Sequence, residues 1–446
     1  MLTFCAYLFY IYFFKSDIIY LNIYEISAKG ERSLQKHENG TSVASTSHEM
    51  NKYYEGVAIA FRYAKFITLF ITVIFVMVIL SFFRDEVSVD NFQYMLKYIT
   101  SEDSSYITTQ KIHYPTADSK ALDLFAGDFV SAGSGGISLY DTNGNTVLEI
   151  ENVFSEPVFS IGKKYGLCYD LSGRSYVIFN TFSKLHSDTL DFPISDAVMT
   201  DGGSYAILSK NREYRTLISV FDNDYDYVCT VYDNKYTFDI DMTSKHLAYI
   251  TAESRDSAFL TDVSILNIKT GENTVVGSYL NEFPVSVRFI GNNLAVITDR
   301  SIRFYDSEFK LKNAYSFSLK MPSAYASAAE CIMLCFEKNT IGSENEIRFY
   351  SGTGELMFSG LLTGKVHSLD INESFAVIHT NDNLYRIDLD DHTVLSVKIE
   401  TGADKVLLQS DASALVCYKN YAKLVDFKNS KEIYFSYKSQ NKDGNK

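Results

Sequence analysis

From Asp128 to Tyr437 short apolar runs alternate with polar turns rich in Gly, Asn and Asp, and the alternation recurs at a regular spacing. The clearest pair is "SIRFYDSEFKL" (301–311) and "EIRFYSGTGEL" (346–356). Side chains alternate along a strand, so Ile302 and Phe304 share one face while Arg303 and Tyr305 share the other. Related hairpins begin at Asp128, Tyr165, Ser204, Leu247, Leu294, Cys331, Phe375 and Ala414. Their second strands start near Ile137, Ser175, Ile218, Val263, Ile302, Ile347, Leu384 and Ala422, about 37 to 45 residues apart, the blade period of a β-propeller. Another short strand lies between hairpins, as in "FDIDMTSKH" and "HSLDINES", and an outer strand follows the second turn, as in "TVLEIE", "ENTVVGSY" and "KEIYFSY". The expectation is an all-β propeller of about eight four-stranded blades over residues 121–437, with seven blades left open. The two quoted phrases are then third strands of neighbouring blades. A lone blade cannot cover both of its faces, so its neighbours must. An array of β-sandwiches fits less well, because the spacing is even and no linker interrupts it.

Residues 66–83, "FITLFITVIFVMVILSFF", break this pattern. They are uncharged, apolar on every side and bracketed by Lys65 and Arg84, so one membrane-spanning helix is expected from Phe66 to Phe83. Lys/Arg residues precede it (Lys52, Arg62 and Lys65 among them), whereas Asp85 and Glu86 follow Arg84. Positive charge stays in the cytoplasm, which puts residues 1–65 inside as a leader and the propeller outside. Leu2–Phe14 is apolar but short; run on through residues 18–24 it makes a marginal second span. The preferred reading is duller: residues 1–49 are an upstream extension of a chain that starts at Met50. Residues 84–120 read as a juxtamembrane helix, "VDNFQYMLKYI" with Phe92, Met95, Leu96 and Ile99 at helical spacing, followed by a linker. Residues 438–446 read as a disordered tail.

Composition sharpens this in three places. The chain has 33 Tyr, 32 Phe and no Trp in 446 residues, a bias toward strands. Its net charge of −14 excludes a domain-wide basic footprint for nucleic acid. The six Cys contain no C-x-x-C pair, and Cys331 and Cys335 share a strand face too far apart to bridge, so buried free thiols are expected and a zinc site is not.

Chemistry is harder to find. No G-x-S-x-G is present, and no helix follows a Gly cluster. "DTNGNTVLEIE" resembles a calcium loop, but Thr146 stands where Gly is needed. Asp222, Asp224 and Asp226, and likewise Asp388, Asp390 and Asp391, fall where a turn is expected and suit turn chemistry. Which turns share a face of the ring does not show in one sequence. The sequons at Asn39 and Asn372 are at chance frequency. No catalytic, cofactor-binding or metal residue is assigned, and no cofactor.

With leader, span, "DNFQYMLKYI" and degenerate repeats in place, the chain resembles membrane-anchored β-propeller-like proteins of Gram-positive anaerobic bacteria, a domain family of unknown function. The resemblance covers about Met50 to Tyr437 and lies in the layout of WD40- or quinoprotein-like repeats. It implies a non-catalytic binding or scaffold module at the cell envelope, with a protein or cell-wall partner on a propeller face. The alternatives are a propeller enzyme or cofactor-binding protein (a glycan hydrolase or a dehydrogenase) and an envelope ligand sensor. Quinone-dependent propellers carry Trp-rich motifs in their blades, and this chain has none. A leader this short leaves little room for a sensor's output domain.

Overall fold

The structure, a computed structural model, describes residues 44–82, 107–115, 119–255, 258–317, 320–339, 341, 343–410, 412–428 and 430–433. The chain divides into two units, Met1–Glu102 and Asp103–Lys446.

In the first unit one helix, Ala44–Phe82, runs without a break through the expected leader. Its stretch Val57–Phe75 is long and apolar enough to cross a membrane, and none of it is buried. It overlaps the expected span, whose last residue, Phe83, lies outside the described residues, as do "VDNFQYMLKYI" and the tail. Phe61, Phe66, Phe70 and Phe75 are all exposed, a surface that water disfavours and lipid accepts.

The second unit is a ring of eight antiparallel sheets. Blades one to eight begin with strands Ser119–Phe125, Pro157–Ile161, Ile194–Met199, Tyr236–Met242, Pro284–Ile290, Ala324–Ser327, Val366–Ile371 and Lys405–Leu408. These first strands lie innermost: they meet at seven of the eight junctions between blades, that of the last with the first included. Second strands are the driest, with all five residues of Gly166–Asp170 and of Tyr205–Ser209 buried, since both faces are covered by neighbours. Ser301–Tyr305 and Glu344–Ser351, the phrases that repeat, are the third strands of blades five and six. Between them Ile302 and Phe304 pack on Ile332, Leu334 and Tyr350. Their arginines do one job twice: Arg303 lies over the ring of Tyr279 at 3.8 Å and Arg348 over Phe336 at 4.8 Å.

Closure corrects one expectation. "KEIYFSY" was assigned as the outer strand of the last blade, but Lys431–Ile433 pairs with Val394–Lys398 as a fifth strand of blade seven. The outer strand of blade eight is Lys111–His113, paired with Tyr421–Asp426. The physical reason is the open edge left where a ring's first and last blades meet: a strand taken from the other end of the chain closes it. Buried Ile112 and Tyr114 pack there on Leu415, Cys417 and Ala422, and the Tyr114 hydroxyl donates to the Tyr418 carbonyl.

Candidate functional site

Each innermost strand has a free edge of backbone N–H groups toward the ring axis, and the neighbouring blade satisfies several of them with side chains. Asp239 in blade four accepts from the Val287 N–H (2.9 Å), the Ser286 hydroxyl (2.7 Å) and the Arg288 guanidinium (2.6 Å) of blade five. Asp241, two residues on and so on the same strand face, accepts from the Phe289 N–H at 2.6 Å. Blades seven and eight repeat the device: Ser368 accepts from Val406 N–H (3.1 Å) and Asp370 from Leu408 N–H (2.7 Å). Burial pushes Asp196, Asp241 and Asp370 up to about 6, against the hydrogen bonds they accept. These carboxylates are committed to holding blades together.

Charge pairs at the linkers are structural in the same way. Glu282, between blades four and five, accepts both guanidinium arms of Arg303 (2.6 and 2.7 Å) and the hydroxyls of Thr298 and Ser301. Burial opposes its charge, but those donors outweigh burial and hold it down to about 2. Lys235 is paired with Asp262 next to it in the ring.

Among the described residues burial works against every thiol as a nucleophile, half-buried Cys229 included. Cys168, Cys331, Cys335 and Cys417 are buried and free, and burial raises the last three to about 11, 11 and 12. Among the described residues no group of three or more His, Cys, Asp or Glu is placed to hold a metal. A cleft of about 470 Å³ lies over the first turns of blades six to eight, lined by Asn372, Glu373, Phe375, Gln409 and Ser410. Gln409 Nε2 donates from it to the Ile107 carbonyl at 3.2 Å, where the chain enters the ring.

Strand alternation sorts the remaining turns onto two faces. In an up-and-down blade, turns one and three open on one face, and turn two and the linker on the other. The third turns share one plan: a side-chain oxygen caps the N–H groups two to four residues on. Asp141 caps Asn143 and Asn145, Asp222 caps Asp224 and Asp226, Asp306 caps Glu308 and Lys310, and Asp388 caps Asp390 and Asp391. The expected turn roles of the two Asp groups are therefore visible as bonds. Together they make this face acidic, and Ile107–Lys111 enters the ring on it, at the Asp141 turn.

The opposite face is different. Its second turns carry Arg174, Lys210, Arg212, Arg215, Arg300 and Lys419 against Glu213, Asp299 and Asp382. In blade four the second and third strands, His246–Arg255 and Ala258–Asn267, are ten residues each, where those of blades one, two and three have five or six. Beside this taller hairpin Phe283 contacts Phe238 (centroids 4.9 Å apart) and Phe259 (6.0 Å), and all three rings are exposed, Phe259 by 52%. Exposed Tyr232, Tyr236 and Leu280 extend the patch, with Arg215 over Tyr236 at 4.7 Å. None of these residues was singled out from sequence. The expectation that one sequence cannot show which turns share a face is corrected here: with four antiparallel strands per blade, alternation assigns every turn to a face.

No curated protein matches the chain. Among solved structures it is similar to the computationally designed Ika8 protein, with 12% identity and a TM-score of 0.56 over 71% of this chain and 98% of that one. It is also similar to BamB from Moraxella catarrhalis (9%, TM-score 0.47, 71% and 98%) and to the WD40 domain of Pan2 from Neurospora crassa (7%, TM-score 0.41, 73% and 98%). At such identities the likeness is one of fold. The model of a family of unknown function, DUF5711, matches residues 99–427, nearly the whole ring, and the chain belongs to that family.

Proposed function

We propose that the protein is a single-pass, membrane-anchored propeller that works as a non-catalytic binding or scaffold module. The helix Ala44–Phe82 anchors it, the amino terminus stays in the cytoplasm, and the ring lies on the far side. The observation that carries this reading is the division of labour among polar groups. Carboxylates at the ring axis and the linkers are consumed in joining blades, whereas aromatic and cationic side chains stand exposed on one broad face. Lys52, Arg62 and Lys65 ahead of the uncharged run Phe66–Phe83, against Asp85 and Glu86 after it, support the orientation.

Two measurements test it. Protease added to intact cells should digest the ring; protection until lysis reverses the orientation. A photo-crosslinking residue at Phe259 should yield defined adducts in native membranes, and one at Asp224 should not. Equal, diffuse labelling from both positions contradicts a dedicated binding face.

A further inference from the structure

We propose that the aromatic face of blades three to five is a second, interfacial contact with the bilayer. There Phe238, Phe259 and Phe283 sit at headgroup level, and Lys210, Arg212 and Arg215 meet anionic lipid phosphates. The proposal rests on the anchored reading above and names what one face of the ring touches.

The surface has the composition that a lipid interface selects. Exposed aromatic rings gather at the boundary between water and hydrocarbon, while Lys and Arg lay their stems along the apolar zone and keep their charges at the phosphates. Phe238, Phe259 and Phe283 form one contiguous cluster, and exposed Leu280 and Tyr236 border it. Among the described residues no acidic side chain pairs with Lys210, Arg212 or Arg215, whereas the acids deepest in this quadrant, Glu282 and Asp262, are already neutralised by Arg303 and Lys235.

Charge selects between the two faces. A chain of net charge −14 is repelled by an anionic surface as a whole. The repulsion is concentrated on the face of the capped Asp turns, which leaves the aromatic face as the one able to approach. The chain enters the ring on the acidic face, so the reach of the intervening segment matters. With Val89–Ile99 helical, as read from the sequence, the length of residues 83–106 still allows about 60 Å, more than the roughly 17–34 Å height of strands of five to ten residues, so either face can turn to the membrane. Tethering to the same bilayer keeps the effective concentration high enough for a contact that would be weak in free solution.

Because the chain has no Trp, one introduced indole reports from one place. Phe259→Trp is placed in the full-length protein, reconstituted in vesicles of equal parts phosphatidylglycerol and phosphatidylcholine, with brominated acyl chains in a parallel sample. Tyr227→Trp, exposed near the rim of the acidic face, is the control. The expected result is that brominated lipid quenches the Phe259→Trp emission about twofold, as for an interfacial side chain, and leaves Tyr227→Trp unchanged. Quenching should weaken in pure phosphatidylcholine and in an R212E/R215E background. Absence of quenching at Phe259→Trp, with the protein floating with the vesicles, overturns the interfacial contact and leaves the anchored module intact. A blue-shifted Trp that stays unquenched in the brominated vesicles is buried against protein, a second copy of the chain, and likewise overturns the interfacial contact. Failure to float removes the anchored reading itself.

Discussion

The Asp370 carboxylate of blade seven accepts the backbone N–H of Leu408 in blade eight at 2.7 Å, joining two innermost strands whose residues stand 38 apart. Burial raises this carboxyl from the usual range to about 6, so the folded ring holds its proton more tightly than the unfolded chain. Its contribution is fully present below pH 4 and is lost as pH rises through about 6. Asp370→Asn keeps an acceptor and removes the titration, so it should unfold no earlier than the parent at pH 8. Asp370→Ala leaves a buried N–H unsatisfied and should cost about 1–3 kcal/mol at both pH values. Thermal unfolding at pH 5 and 8 compares the three proteins.

His379 should give the opposite slope. Its ring is 1% exposed between blades seven and eight, and neither nitrogen has a hydrogen-bond partner. Burial first, then the neighbouring His367, lowers it to about 4, with Asp404 working the other way. The unfolded chain therefore binds the proton more readily, and stability falls as pH drops from about 6.5 toward 4. His379→Leu should flatten that loss and raise the melting temperature progressively more as pH falls from about 6.5 to about 4. A variant whose acid sensitivity matches the parent would place the acid-labile group elsewhere.

Tyr225 sits in the left-handed region at φ 67° and stacks on His186 of blade two, with centroids 4.9 Å apart. Phe309 (φ 59°) and His392 (φ 63°) also lay their rings against the preceding blade, Phe309 edge-to-face on His246 and His392 tilted on Phe358. Strain of about 1–2 kcal/mol is held there by ring packing of similar size. Tyr225→Ala loses the packing and keeps the strain, while Tyr225→Gly loses both. Gly should be the more stable by about 1 kcal/mol in urea unfolding, the reverse of the usual order in an ordered element.

At the matching turn of blade six the residue is Gly354, with φ 84°, and a Cβ there would lie 2.5 Å from the ring of Phe304. Gly354→Ala should therefore destabilise, by about 1–3 kcal/mol for overpacking plus backbone strain. Phe304→Leu keeps the Cβ and Cγ atoms that the new methyl meets, so adding it to Gly354→Ala should recover none of the loss in the same unfolding assay.

The ring was legible because its strands announce themselves within a few residues. "SIRFYD" and "EIRFYS" show both the period and the face each side chain takes. Features made by distant pairing were not. Lys111–His113 is three residues long, too short for alternation to register, and its partner lies at the other end of the chain. "KEIYF" has the composition of a strand, yet nothing local says that it joins blade seven and not blade eight. The axial carboxylates are visible as Asp in "FDIDM" and "HSLDI", but their partners, Val287 and Leu408, lie 48 and 38 residues away and contribute only backbone N–H groups. The aromatic face was missed for a different reason: Phe238, Phe259 and Phe283 belong to three separate segments, and only strand alternation brings them to one side.

Closing the ring with the chain's first strand sets a timetable for biosynthesis. Tyr114 is made early, but its partner, the Tyr418 carbonyl, is added 304 residues later. At about 5–20 residues per second, the closing strand waits roughly 15–60 s with no one to pair with. Throughout that interval it can meet other nascent copies of the chain. A neighbour's unfinished last blade is chemically identical to its own, so crowded synthesis favours exchange of this strand between copies. Slow translation would punish this architecture, and the short length of residues 107–115 limits how firmly a wrong partner can hold them.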